Sequence, residues 1–382
     1  VPQLNKNKVS GLAEHFDRNH ARKVLKSLLT TPSPTGMTAP VTRLIDQLFR
    51  ECGFVCRHTN KGALVAAPNP DWLEECHTIF ASHADTLGGM VRKLKKRGRV
   101  ELEKIGGFPF RTVAGEYVTL HSHGGHEYTG TILPVKASGH AYKDEDDSPT
   151  DKHEDFEVRL DMDAETEKDL ENGGIRVGDF ISLDPRFRMT SSDWICSRHL
   201  DNKAGVAALL CAARAISRNP EMYLDGCLPF CFLVSTHEEV GHGASPSICR
   251  GAREMVVVDM AVVADGRCGD EKCVSICAKD SSGPYDLGLR KFLVRIAEEK
   301  NICHKVDIYP YYGSDGSAAL RAGQDIRVAL IGPGVDASHS NERTHLDGIM
   351  ETCSLILGYT LERPLRTPEG ADFNMPEPES SL

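Results

Sequence analysis

No apolar run in the chain approaches the roughly 20 residues that a membrane-crossing helix needs, and the leading VPQLNKNK has none of the layout of a secretory signal. No membrane partner is expected. Positive charge is also in deficit: 45 Lys and Arg stand against 55 Asp and Glu, a net charge of −10, with a pI near 5.9. Nucleic-acid binding needs a dominant basic field, so no such partner is expected either. The one basic cluster, Arg92 to Arg99, alternates with apolar residues and reads as the solvated side of a hairpin. The cysteines form no C-x-x-C knuckle; Cys52/Cys56, Cys227/Cys231 and Cys273/Cys277 are four apart, and the total of 13 is odd. Most lie in apolar runs, where a free thiol acts as a small buried hydrophobe. This usage argues against thiolate zinc and for a reducing, cytoplasmic location.

What is present is ordinary for a large-cored protein: 40% hydrophobic and 26% charged residues over 382 positions, enough for two units. Amphipathic stripes predict helices over residues 17–29, with Ala21, Val24, Leu25 and Leu28 on one face, and from about Thr38, with Val41, Leu44, Ile45 and Leu48. Apolar β-type runs predict buried strands at 78–82, 227–234 and 254–259. From Met90 to about Thr190 the texture changes to short alternating stretches with Gly-rich turns, the signature of an inserted β-rich unit. The expected organisation is a discontinuous α/β domain of residues 1–88 and 191–366, with a mixed α/β/α sheet. A small barrel-like β-rich domain of residues 89–190 interrupts it. Two polar stretches without a hydrophobic period, Tyr142–Glu154 and the tail 367–382, are expected to be a mobile loop and a disordered end.

The strands release chemistry at their ends. Thr236-His-Glu-Glu-Val-Gly241 follows the apolar run 227–234. Alone, the Glu-Glu pair reads as a solvated opening to a loop. At the end of a strand buried on both faces, however, two adjacent carboxylates repel and lose hydration. A divalent cation beside one would offset that and leave the other for proton transfer. Strand 78–82 delivers His83-Ala-Asp85, a helix opens at Asp201-Asn-Lys-Ala-Gly205, and strand 254–259 ends in Asp259. A fifth donor, His339 or His345, follows the strand ending at Ile331. In an open α/β sheet such ends line one crevice. Imidazole and carboxylate without thiolate suit zinc, cobalt or manganese. His121, His123 and His126 read as an exposed turn, Asp265 as a turn residue, and His242 as a loop residue beside the site. Asp315 reads either as a helix cap or as facing substrate.

Taken together, Ser82-His-Ala-Asp-Thr-Leu-Gly88, Ile105-Gly-Gly107, Leu200-Asp-Asn-Lys-Ala-Gly205, His237-Glu-Glu-Val-Gly241, Val256-Val-Val-Asp259, Gly313-Ser-Asp315 and Ser338-His-Ser340 resemble the TET-type metalloaminopeptidases. These are the glutamyl or deblocking family of the co-catalytic zinc exopeptidase clan. The likeness spans about Ala21 to Leu361. It implies two divalent ions, zinc first and cobalt or manganese next, with Asp201 bridging them, His83 and Asp259 completing one, and Glu239 and His339 the other. It implies Glu238 as general base toward a metal-bridging water, and Asp85 as the carboxylate that holds His83. The implied activity is removal of N-terminal residues from short peptides by a cytoplasmic homo-oligomer, from dimer to dodecamer, assembled through the β-rich insertion. The chain departs from the family in Asn202 where a second aspartate is usual, in a shorter loop after Gly241, and in Asp336-Ala-Ser338 where an Arg-Tyr pair usually precedes the last histidine. Rival readings are a carboxypeptidase, deacylase or other amidohydrolase of the clan, or a metal-stabilised scaffold. The acidic balance permits steering of basic substrates, with no pocket residue to name.

Overall fold

Strands that are apolar on both faces have to be covered on both faces, and that requirement sets the architecture. Thr78–His83, Phe230–Ser235 and Glu254–Val258 are buried at every position. They pair in parallel with one another and with Arg327–Asp336 at the centre of a mixed 13-stranded sheet. The computed structural model describes residue 12 and residues 15–142, 151–225, 227–245 and 248–362. Most of the acidic loop expected at 142–154, and the whole tail 367–382, lie outside the described residues.

Alternation along each strand divides the core in two. Phe80, Phe232, Val256 and Ile331 point to one face, against helices Arg18–Leu29, Ala39–Glu51, Leu200–Arg218, Leu287–Glu299 and Leu346–Glu362. Ile79, Leu233, Val257 and Leu330 point to the other, with helix Asp315–Arg321. The fold is therefore an α/β/α sandwich. Helix Arg18–Leu29 begins where the Asp17 side chain accepts the His20 N–H, and Ala39–Glu51 begins with proline in its first turn. The sheet continues beyond the apolar run read from the sequence, and the strand after Cys227 starts only at Phe230.

Between Gly88 and Leu183 six antiparallel strands close a separate barrel in the order Gly88–Lys95, Arg99–Ile105, Phe156–Leu160, Glu127–Pro134, Tyr117–His121, Phe180–Leu183. Val100, Leu102, Val118, Leu120, Ile132 and Val158 fill it. The barrel is fastened to the sandwich by charge. Buried Arg198 lies 3.1 Å from Glu116 and donates to the carbonyls of Thr112 and Ser340.

Four cysteines depart from the expectation of scattered thiols. Cys76 pairs with Cys249 and Cys273 with Cys303, while the other nine are free. The partners of the first pair are 173 residues apart, and a bridge between Glu75 and Arg250 brings them together, so no sequence spacing announced them. No helix among the described residues is long and apolar enough to cross a membrane.

Candidate metal centre

Parallel register sets the site. Ser235 lies opposite His83 across neighbouring strands, and Val258 opposite Ile331, so the chain leaves the sheet at one edge carrying His83, Glu238, Glu239 and Asp259 together. Asp201 arrives from the first turn of helix Leu200–Arg218, where the backbone is still non-helical. That turn presses against the strand ends: a Cβ on Gly205 would stand 2.6 Å from the Val258 carbonyl and 2.7 Å from Ser82 Oγ. Asn202 is fully buried and uses its amide as a tie. Its Nδ2 donates to Ser82 Oγ and the Val258 carbonyl, and its Oδ1 accepts the Gly205 N–H.

The side chains converge. His83 Nε2 lies 3.1 Å from Asp201 Oδ1 and 3.7 Å from both Glu238 Oε2 and Asp259 Oδ1. The other oxygen of Asp201 lies 3.3 Å from His339 Nε2, which is 3.7 Å from Glu239 Oε2. One carboxylate thus stands between two imidazoles, one oxygen toward each. His345 is not in the cleft: its Nε2 meets the Ser192 carbonyl and its Nδ1 accepts the Asp347 N–H. Asp85 is fully buried. The His83 Nδ1 partner is the Asp85 backbone carbonyl at 3.0 Å, with the carboxylate at 3.6 Å. That carboxylate is occupied instead by the N–H groups of Glu238 and Glu239 and the hydroxyl of Thr35. It orients both glutamates at least as directly as the ring.

Asp315 is not the helix cap, which is Ser314. Its carboxylate accepts Ser235 Oγ and the Ala244 N–H, pinning the loop after Glu239 to the strand before it. His242 takes Lys61 Nζ at 2.9 Å and stacks on His237. His121 bonds Ser182 and Glu127, and Asp265 is exposed.

The electrostatics of this arrangement call for a cation. Burial, reinforced by neighbouring carboxylates, holds Glu238 and Glu239 well above the usual carboxylate range and pushes Asp259 up to about 7. Burial would lower both histidines, yet the acids around them outweigh it, raising His83 strongly and His339 to about 10. Asp201 is held below its ordinary value, against its burial, by His339 and His83. Two imidazoles cannot neutralise so many buried acids. One atom is left over: Glu239 Oε1 is buried with no hydrogen-bond partner. Ligand atoms of His83, Asp201 and Glu239 lie within 4.8 Å of one another. The donor set is imidazole and carboxylate, and it fits a divalent ion.

The cleft beside these residues has a volume of about 630 Å³. Its lining includes Gly107 and Pro109 of the barrel together with Tyr309, Tyr311, Tyr312, Arg267 and Arg321. The two arginines bring positive charge to a lining that also holds Asp201, Glu238, Glu239, Asp259 and Asp315.

Residues 62–355 match the family model of the M42 glutamyl aminopeptidases. The chain belongs to that family. It is a peptidase, and membership brings the use of divalent metal. YhfE of Bacillus subtilis (strain 168), named as an aminopeptidase, is 44% identical over 340 residues, covering 88% of this chain and 96% of its own. FrvX of Escherichia coli (strain K12), similarly named, is 29% identical over 56% of this chain and 53% of its own. Among solved structures, the TET aminopeptidase of the marine sediment archaeon Thaumarchaeota archaeon SCGC AB-539-E09 superposes with a TM-score of 0.81 at 16% identity, covering 91% of this chain and 97% of that one. The Pyrococcus horikoshii TET1 peptidase, described as assembling into a tetrahedron or a large octahedral shell, superposes with a TM-score of 0.77 at 20% identity, covering 90% and 99%. At these identities the likeness establishes the M42 fold alone.

One buried acid beside this cluster carried no signal in the sequence. Glu342 is buried, accepts the N–H groups of Asp201 and His339, and is pushed up to about 8 by burial and by the nearby Asp201. In Ser-Asn-Glu-Arg-Thr-His it looks like a surface acid, and only the pairing of its strand with Trp194–Ser197 turns it inward.

Proposed function

We propose that the protein is a two-metal aminopeptidase that removes the first residue of short peptides. His83 and Asp259 would hold one ion, Glu239 and His339 the other, and Asp201 both. The observation that carries this reading is the Asp201 carboxylate between two imidazoles, with an unsatisfied Glu239 oxygen beside it. Two divalent ions in such a cage supply Lewis-acid polarisation of a scissile carbonyl and a lowered water pKa, zinc being favoured and cobalt or manganese compatible.

The residues do the rest. Asp85 holds the N–H groups of Glu238 and Glu239 and so aims both side chains into the cleft. The Glu238 carboxylate lies in the cleft, and among the described residues its nearest polar partner is His83 Nε2 at 3.7 Å. As general base it takes a proton from the attacking water and returns it to the leaving amine nitrogen. Arg267 and Arg321, in the cleft lining, would suit an acidic first side chain. The same two arginines favour a second reading, in which they hold a substrate carboxylate for a carboxypeptidase or deacylase.

The barrel, residues 89–190, is proposed as the oligomerisation domain of a homo-oligomer between dimer and dodecamer, and residues 1–88 with 191–366 as the catalytic domain. The deciding experiment compares free-amine Glu-, Leu- and Lys-aminoacyl fluorogenic substrates with their N-acetyl forms. Cleavage of free-amine substrates only, Glu first, is expected. Turnover of the N-acetyl forms at equal rate would replace the aminopeptidase with the second reading.

A further inference from the structure

Glu342 does not line the cleft, so it touches neither substrate nor reacting atoms. It is nonetheless 2% exposed, and both of its oxygens are used. Oε1 accepts the backbone N–H of His339 at 3.1 Å, and Oε2 accepts that of Asp201 at 3.1 Å. One carboxylate therefore joins the two segments that carry the bridging acid and the last imidazole, although Asp201 and Glu342 are 141 residues apart.

Both segments need holding. His339 has φ 63°, Ala337 φ 56°, and His199, two residues before Asp201, φ 69°. These are left-handed conformations of non-glycine residues, and they persist only where the surroundings over-determine them. At His339 the surroundings are Glu342 on the backbone N–H and the barrel on the ring, where Nδ1 meets the Gly107 carbonyl at 2.5 Å. A carbonyl accepts only, so Nδ1 carries a hydrogen, and that contact fixes the ring with Nε2 turned toward Asp201, 3.3 Å away. The arrangement is wasteful unless placement matters, since a buried carboxylate is given up to two main-chain amides.

We propose that Glu342 is a positioning residue for the metal cage, clamping the amides of Asp201 and His339 so that their side chains meet the same ion. The inference rests on the two-metal reading. Its mode of action is on metal affinity, through Asp201 and His339, without contact with substrate.

The test uses full-length wild type, Glu342→Gln and Glu342→Asp. Gln offers one acceptor oxygen and turns an N–H donor toward the other amide; Asp keeps the charge but is too short to reach both. Zinc affinity and stoichiometry are measured by competition with a chromophoric chelator, alongside metal-free melting temperature and kcat at saturating zinc. Both variants are expected to bind zinc about 10–100-fold more weakly than wild type, with kcat recovering in part as zinc is raised. A variant that melts lower yet takes up two zinc ions at wild-type affinity would overturn the proposal and leave Glu342 a structural acid. Should wild type itself bind fewer than two ions, the two-metal reading fails first, and the clamp falls with it.

Discussion

His83 Nε2 and Asp201 Oδ1 stand 3.1 Å apart across 118 residues of chain. Neither the strand carrying the histidine nor the helix carrying the aspartate has any local reason to put a polar group there. The contact follows from parallel strands ending at one edge, with a helix N-terminus laid against them. Its consequence is a buried imidazole–carboxylate cluster with one acid oxygen left unsatisfied.

The first prediction concerns the base. Glu238→Gln is nearly isosteric and leaves all five proposed ligands in place, so the variant is expected to hold metal like wild type. Its kcat is expected to fall by about 10²–10⁴, the usual worth of general acid–base catalysis. Elemental analysis and steady-state kinetics on the same sample check this. Turnover within a few-fold of wild type removes Glu238 from the reaction.

A second prediction follows from the raised acids. Glu238 and Glu239 lie well above the usual range, Asp259 reaches about 7 and Glu342 about 8. In the unfolded chain such groups ionise near pH 4. The metal-free protein thus keeps protons that the unfolded chain has released. This share of its stability is full below about pH 4 and lost as pH rises through 7 to 8. Metal must displace the same protons, so added zinc is expected to raise the melting temperature little near pH 5 and most above about pH 7.5. Melting scans with and without zinc across that window check the sign, and a zinc shift that shrinks with rising pH would contradict it.

Lys203 allows a prediction about stability alone. It is 1% exposed, and its Nζ donates to the carbonyls of Leu28 and Thr31 at the end of helix Arg18–Leu29. Burial brings its pKa down to about 7. Lys203→Met keeps the apolar stem and removes the donor, leaving the Leu28 carbonyl to the Thr31 N–H alone and the Thr31 carbonyl without the ammonium, a cost of about 1–3 kcal/mol. A lower denaturant midpoint at unchanged slope is expected. An unchanged midpoint would mean that water satisfies those carbonyls equally well.

Much of this site could be read from residue order. His83, Glu238, Glu239 and Asp259 each follow or end an apolar run that reads as a buried strand, and Asp201 opens a stretch that reads as a helix. What could not be read depends on contacts between distant segments. The choice between His339 and His345 turned on which loop faces the sheet edge, and the structure gives His345 to Ser192 and Asp347. The Asp85 carboxylate was expected on the His83 ring, but the amides of Glu238 and Glu239 lie closer. Glu342, the Cys76–Cys249 pair and the Gly107 carbonyl on His339 leave no local pattern, because their partners lie on other elements.

The most direct test of the account is the metal content of wild type and Asp201→Ala, determined by elemental analysis after equilibration with zinc. Two ions per wild-type chain, and loss of both when the shared carboxylate is removed, are expected. A full complement of two ions in folded Asp201→Ala would contradict the cage at its centre.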